Sequence, residues 1–274
     1  MLKSSLNQKT SEGNMLRRLL SILGVYKLYE KWLWHQIKNG SKPEHIAVIL
    51  DGNRRWALER SLNPWIGHRE GAEKVEDLLD WCLEMGVKSI TLYAFSTENF
   101  RRPRREVEEI MRIFEEKMKK LLTDRRIYEN KVKVKVIGRK SLLPESLKKL
   151  VEEVEEATKD YNEHFLNIAL AYGGRAEIVD ATRKIAERIE KGELDPKQID
   201  EKLFESFLYT SHLPKQDPDL IIRTSGEERL SGFLLWQSAY SELCFLDVYW
   251  PDFRKIDLLR AIRTFQKRKR RFGQ

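Results

Sequence analysis

The stretch His45-Ile-Ala-Val-Ile-Leu-Asp51-Gly52-Asn53-Arg54-Arg55-Trp56 decides the fold. An aliphatic run stops at an aspartate and a glycine, and two arginines follow. An apolar run without polar alternation reads as a central strand of a parallel sheet, buried on both faces. Asp51 then stands at the carboxyl end of the strand, where open α/β sheets collect ligands. A helix opening near Asn53 turns its free N–H groups and positive dipole end toward the same place. Two roles stay open for Asp51. It can hold a divalent cation, while the amides and Arg55 take the phosphates that the cation bridges. Or it can simply cap the helix.

Outward from this stretch, strand and helix alternate. Further strands are predicted at 89–95, 131–137, 166–172, 219–224 and 242–248. Helices are predicted near 69–85, 104–122 and 144–161, after Gly173-Gly174-Arg175, and from Lys255 onward. The pattern predicts an α/β fold: a single domain with a six-stranded, mostly parallel sheet flanked by helices. The strict alternation in Lys131-Val-Lys-Val-Lys-Val-Ile137 marks a strand near a sheet edge. Residues 1–13 are polar. Met15 to Trp34 reads as an amphipathic basic helix, broken at Gly24, that lies in a membrane interface or packs on protein. The Gly40-Ser-Lys-Pro43 break divides the chain into an N-terminal tail and helix, 1–40, and a body, 41–274.

The 274 residues carry 51 Lys plus Arg against 43 Asp plus Glu, a net charge of +8, which suits an anionic partner: diphosphates, acidic lipid headgroups or nucleic acid. An apolar share of 41% supports a real core, and 34% charged residues argue for a soluble protein. Cys82 and Cys244 have neither disulfide nor zinc spacing and read as reduced core residues of a cytosolic protein. No run approaches the roughly 20 apolar residues of a membrane span. Walker-type, dinucleotide-binding and His-Glu-x-x-His motifs are absent, which disfavours nucleotide and metalloprotease chemistry.

Chemistry gathers after the strands. Asp51, Gly52, Asn53 and Arg55 follow the first. Ser96-Thr-Glu-Asn-Phe-Arg-Arg-Pro-Arg-Arg105 follows the second. Gly173, Gly174 and Arg175 follow the fourth, and Arg223, Thr224, Ser225, Gly226, Arg229 and Ser231 close the fifth. In a parallel sheet these termini share one edge. Arginine forks match phosphate oxygens, and glycines let the backbone approach, so the edge suits one or two diphosphates with a hard cation. Each piece also has a plainer reading. The arginines at 101–105 suit a solvated loop, Gly173-Gly174 an ordinary turn, His68 a structural role, and Glu242 a surface carboxylate.

Five blocks in order resemble the cis-prenyltransferases, the undecaprenyl and polyprenyl diphosphate synthases, in an archaeal-like form. They are 45–57, Gly67-His68 with Gly71, 91–103, 167–178, and 219–243 with Trp250-Pro-Asp-Phe253. The resemblance implies a magnesium-dependent, cytoplasmic homodimer. Such an enzyme condenses isopentenyl diphosphate repeatedly onto an allylic diphosphate, geranylgeranyl or farnesyl, and makes a long polyprenyl diphosphate for a glycosyl carrier lipid. It implies that Asp51 and Asn99 are catalytic, and that Mg2+ is held by Asp51 with Glu242 across the dimer interface. Allylic diphosphate binding falls to Gly52, Asn53, Arg54, Arg55, Trp56, His68, Ser96, Glu98, Phe100 and Arg102. Isopentenyl diphosphate falls to Arg223, Arg229 and Ser231. The ending Arg271-Phe272-Gly273 resembles one that reaches a partner's isopentenyl site.

The growing chain needs an apolar tunnel, expected between the strands and the helices at 69–85 and 104–122. Leu92, Ala94, Phe95, Ile110, Phe114 and Ile137 are its candidates, though core packing accounts for most of them. Asn63-Pro64 stand where many members carry a basic residue, which leaves that contact to Arg60 or Arg69. Phe100 replaces a frequent Trp. Two other classes compete: a non-catalytic partner subunit, which the intact Asp51 disfavours, and a nucleic-acid binder, which lacks aromatic-basic interleaving. Membrane contact through the N-terminal helix is expected, and nucleic acid is not.

Overall fold

The computed structural model describes residues 25–268. The N-terminal tail, the start of the basic helix with its Gly24 break, and the Arg271-Phe272-Gly273 ending lie outside the described residues. Residues 43–253 form one compact unit, and the helices α1 (Val25–Ile37) and α9 (Lys255–Lys267) form a second, so the last helix groups with the N-terminal one.

The larger unit is built on six strands, β1 (His45–Ile49), β2 (Ser89–Ser96), β3 (Val132–Ile137), β4 (His164–Tyr172), β5 (Leu220–Arg223) and β6 (Glu242–Phe245). Their order is β3-β4-β2-β1-β5-β6. Every pairing is parallel, so the mostly parallel sheet of the expectation is wholly so. β1 is buried along its whole length, as a strand with helices on both faces must be. β3 lies at an edge, where its alternating burial lets Lys133 and Lys135 keep to the wetter face.

The helices of this unit are α2 (Asn53–Glu59), α3 (Pro64–Met85), α4 (Arg104–Leu121), α5 (Arg125–Glu129), α6 (Glu145–Ala157), α7 (Gly174–Glu190) and α8 (Glu201–Glu205). The short α5 and α8 carry too few turns for a periodic signal and went unpredicted. α3 starts at Pro64, earlier than its periodicity suggested, because proline at the first helical position suits a fixed φ and a missing donor. Two glycines in the first half of α3 have a steric reason. A Cβ on Gly67 would stand 2.0 Å from the Asn53 carbonyl oxygen, and one on Gly71 2.2 Å from Asn53 Oδ1. Only glycine lets α3 close onto the start of α2.

Cys82 and Cys244 are both buried, as expected of core residues. A buried polar chain crosses the sheet: His45 Nε2 lies 2.8 Å from Thr91 Oγ1, Asn167 Nδ2 donates to that oxygen at 3.1 Å, and His212 Nε2 lies 2.7 Å from Asn167 Oδ1. Burial lowers both imidazoles to about 4, so both are neutral in the folded protein. The unfolded chain binds these protons first, near the ordinary value of 6.5. Stability is therefore complete above about pH 6.5 and is lost as pH falls toward about 4. Melting temperatures measured across this range are expected to decline already above the carboxylate range. A flat profile down to about pH 5 would contradict neutral burial.

In the smaller unit, α1 and α9 run side by side. Lys255 pairs with Glu30 at 3.3 Å, and Arg254, Arg260 and Arg263 lie over the rings of Tyr26, Tyr29 and Trp32. No described helix is long and apolar enough to cross a membrane.

Candidate active site

The register decides which residues meet. Ile49 pairs with both Tyr93 and Arg223, so Asp51 emerges level with the ends of β2 and β5. Near Tyr93 and Phe95 the β2–β4 pairing shifts register, a bulge that re-aims the strand end at the site. The main chain of Asp51 is pinned by Thr224, whose hydroxyl donates to its carbonyl at 2.7 Å and lies 3.1 Å from its N–H. Gly52 then turns the chain at φ 101, a left-handed value that favours glycine.

Asp51 does not cap α2. The N-cap is Gly52, without a side-chain cap, and Asp51 Oδ1 accepts the N–H of Gly52 at 2.7 Å. Its other oxygen accepts from Arg223 Nη2 at 2.7 Å. Partial burial raises its pKa, but the Arg223 guanidinium, Ser225 and the Gly52 N–H outweigh that and hold the carboxyl below the usual range. Arg223 is 4% exposed and also donates to Ser231 Oγ at 2.8 Å and to the Arg229 carbonyl. Two residues of this loop, Ser225 (φ 80) and Ser231 (φ 49), hold left-handed backbone conformations unusual for serine. Arg55 reaches Ser225 Oγ at 2.6 Å and Glu227 at 3.3 Å.

Facing this is a cationic cluster around a carboxylate that sequence reading missed. Glu106 is 4% exposed, 3.3 Å from His68 Nε2, 3.4 Å from Arg102 Nη1 and 3.7 Å from Arg54 Nε. The His68 hydrogen bond, countered by burial and reinforced by Arg102, holds its carboxyl below the ordinary value. Burial lowers the His68 pKa against the pull of Glu106, so at neutral pH the ring is a neutral partner for phosphate. In sequence Glu106 stands among the many charges of α4, and only its position one turn after Arg102 marks it.

Asn99 closes a reciprocal cap with Ser96: its Oδ1 accepts the Ser96 N–H at 3.1 Å, which leaves its amide N–H groups as donors and makes it a poor base. Tyr93, also unpredicted, is pushed to about 12 by burial and by Glu98, so its phenol stays protonated.

These groups line one polar cleft of about 490 Å³. The structure brings Asp51, Gly52, Asn53, Arg54, Arg55, His68, Ser96, Glu98, Asn99, Arg102, Arg223 and Ser231 into its wall. Four residues read from the sequence are not in that wall. Trp56 turns to Asp252, 2.9 Å from its indole N–H, and is stacked by Arg60. Phe100 packs edge-on against Phe95. Arg229 points its guanidinium at Glu227, 2.5 Å away. Glu242 opens β6, at the sheet edge opposite Asp51, because parallel strands put starts and ends on different sides. Arg60 pairs with Asp252 and Arg69 with Glu116, and neither lines the cleft.

Beside the cleft lies a second, apolar cavity of about 110 Å³ between the sheet and α3 and α4. Leu50, Asn53, His68, Ala94 and Ile110 line both. Leu92 and Phe114 line the apolar part as expected. Phe95 belongs to the polar cleft, and Ile137 packs in the core with Tyr93 and Tyr172, so the tunnel role does not extend to these two.

Among the described residues no three or more His, Cys, Asp or Glu side chains gather around a metal position. Asp51, which shares the wall of this arginine-lined cleft with Glu98, still fits magnesium, which is commonly held by one or two carboxylates, water and substrate phosphates.

Glu106→Gln keeps the shape and removes the charge that places Arg54, Arg102 and the His68 ring. We expect kcat to fall about tenfold to a hundredfold, roughly 1.5–3 kcal/mol for a lost charged hydrogen-bond set. The KM for the allylic diphosphate should stay level or drop, because the freed cations still attract it. Steady-state kinetics check this, and a raised KM at constant kcat would contradict it.

A family model for undecaprenyl diphosphate synthases matches residues 49–273. The chain is 56% identical to the tritrans,polycis-undecaprenyl-diphosphate synthase (geranylgeranyl-diphosphate specific) of Methanopyrus kandleri, over 93% of either chain. It is 55% identical to the synthase of the same name from Pyrococcus horikoshii, over 91% of this chain and 94% of that one. Among solved structures, lavandulyl diphosphate synthase of Lavandula x intermedia, in complex with dimethylallyl diphosphate, superposes with a TM-score of 0.82 at 37% identity, covering 85% of this chain and 99% of that one. The probable undecaprenyl diphosphate synthase of Campylobacter jejuni gives 0.68 at 32% identity, over 85% and 100%. With this match over most of its length, the chain belongs to the undecaprenyl diphosphate synthase family of prenyltransferases.

Proposed function

We propose that this chain extends geranylgeranyl or farnesyl diphosphate by successive cis condensations with isopentenyl diphosphate. The product is a long, undecaprenyl-like diphosphate that serves as precursor of a glycosyl carrier lipid. The observation that supports this reading most is the adjacency of the polar cleft and the apolar cavity, which share five wall residues: the first suits diphosphate, the second hydrocarbon. The relatives named for geranylgeranyl diphosphate support the longer starter.

The allylic diphosphate is assigned to Gly52, Asn53, Arg54, Arg55, His68 and Arg102, with Ser96, Glu98 and Asn99 at the rim. Isopentenyl diphosphate is assigned to Arg223 and Ser231, with Arg229 swinging from Glu227 to join them. The isopentenyl double bond attacks C1 of the allylic chain, the C1–O bond breaks toward the diphosphate, and a proton leaves the new cation. Fixed cations act where charge builds on the leaving group, so they stabilise the transition state more than the ground state. Bound magnesium, with Asp51 as its protein ligand, would neutralise the charge on the departing diphosphate. Glu242 is assigned to that metal from a second copy, which is why a homodimer is proposed.

α1 exposes Val25, Leu28 and Trp32 at helical spacing beside Lys27 and Lys31, which suits peripheral contact of a cytoplasmic enzyme with an anionic membrane surface. Nucleic acid has no place in this reading.

Incubation with radiolabelled isopentenyl diphosphate, magnesium and starters of graded length tests the proposal. Chain extension of the geranylgeranyl starter is expected. No extension of any starter would overturn it.

A further inference from the structure

The arginines at the polar cleft are held by carboxylates in different places. Asp51 takes Arg223 within the cleft wall, and the buried Glu106 takes Arg54 and Arg102. Glu227 stands outside the wall and takes two arginines of different assignment. Its Oε1 lies 3.3 Å from Arg55 Nη1, and its Oε2 lies 2.5 Å from Arg229 Nη1. The chain after β5 is bent to bring it there. Ser225 (φ 80) and Gly226 (φ 72) are consecutive left-handed residues, a costly conformation for serine. The Ser225 N–H donates to the Val248 carbonyl at 2.7 Å, and the Gly226 N–H to the Leu246 carbonyl at 3.0 Å, which fixes the bend.

The two arginines respond differently to this carboxylate. Arg55 also bonds Ser225 Oγ at 2.6 Å and stands over the Tyr249 ring, so it lines the cleft while paired. Arg229, paired with Glu227, does not line it. A diphosphate in the isopentenyl half and Glu227 therefore compete for one guanidinium. The pair is open to solvent, with Arg229 63% and Glu227 30% exposed, so it parts and recloses at little cost.

The bookkeeping of the condensation gives that competition a use. The C1–O bond breaks, and the allylic diphosphate leaves with the electron pair. The diphosphate that remains on the chain is the one the isopentenyl unit brought, and it stands in the isopentenyl half. Loss of the proton makes the extended chain an allylic diphosphate in its turn. Before the next condensation this diphosphate has to leave the half assigned to Arg229 and reach the half that contains Arg55. Glu227 touches both arginines, and each time it recloses on Arg229 it withdraws a cation from the half to be vacated.

We propose that Glu227 is a counter-carboxylate that competes with diphosphate for Arg229 and so clears the extended chain from the isopentenyl half between condensations. It is a positioning residue, acting through the arginines and not on the reacting atoms. This rests on the elongation reading above and on its assignment of Arg229.

Glu227→Gln keeps the shape and removes the competing charge. Calorimetric titration of isopentenyl diphosphate, with magnesium and no allylic starter so that nothing reacts, is expected to show binding about two- to fivefold tighter than native, the size of one exposed ion pair. In an Arg229→Gln background the same substitution should change nothing, because the contested guanidinium is gone. Rapid-quench kinetics should show the first condensation at its native rate and the second slowed by a similar factor. Unchanged or weaker binding in Glu227→Gln overturns the proposal, since a carboxylate that merely presents Arg229 to substrate would give that sign. Equal tightening in the Arg229→Gln background also overturns it, by showing a general effect of charge. So does a native ratio of second to first condensation rates. All three outcomes leave elongation standing, whereas a native chain that extends no starter overturns both readings.

Discussion

Asp51→Ala is expected to cut turnover by on the order of a thousandfold or more, equivalent to about 4 kcal/mol of transition-state stabilisation, while the melting temperature hardly moves. The two halves of this expectation have separate causes. The carboxylate is the acidic group that fits a cation in the polar cleft, and the cation matters most when the diphosphate departs. The fold does not need the side chain, because Thr224 holds the main chain of Asp51 and Gly52 makes the turn. Asp51→Asn preserves the Gly52 contact and loses the charge, so it should be nearly as inactive. Its carboxyl lies below the ordinary range, which keeps it ionised across neutral pH and rules it out as a pH-sensitive element there. Near-normal steady-state turnover in the Ala variant would refute the role.

Arg223→Ala should raise the isopentenyl diphosphate KM by about a hundredfold, some 2–3 kcal/mol for a buried charge-assisted contact. Lysine should not restore it. The guanidinium serves Asp51, Ser231 and the Arg229 carbonyl at once, and an ammonium lacks that planar fork. The contact with Asp51 adds a second consequence. Arg223 is proposed for the isopentenyl half and Asp51 for the allylic half, yet the two are bonded to each other. Part of the loss should therefore appear in kcat. Titration of both substrates separates these effects, and a change confined to the allylic diphosphate would reverse the assignment.

The elements legible in the sequence were those with long or unambiguous patterns. The β1 run, the alternation of β3 and the order of strands and helices all report on local burial. Local burial is what periodicity encodes. The strand-end residues were legible for a related reason: in a parallel sheet, every strand delivers its successors to one edge.

Glu106 was hidden because one buried carboxylate among the solvated charges of α4 has the same local pattern as its neighbours. Trp56 and Phe100 were read toward substrate, although Asp252 and Phe95 claim them. Such partners are far away in sequence or depend on side-chain direction.

The amino-acid sequence by itself determined the α/β class, the strand order along the chain and the set of residues at the catalytic edge, since these follow from apolar period, turn chemistry and a contiguous motif. Only the tertiary structure decided that Asp51 bonds Arg223 instead of capping its helix. It alone showed that Glu106 gathers Arg54, Arg102 and the His68 ring, and that the apolar cavity lies between the sheet and α3 and α4. These contacts are set by the register of β1 against β5 and by the depth along α3 and α4, and neither distance is written in the order of residues.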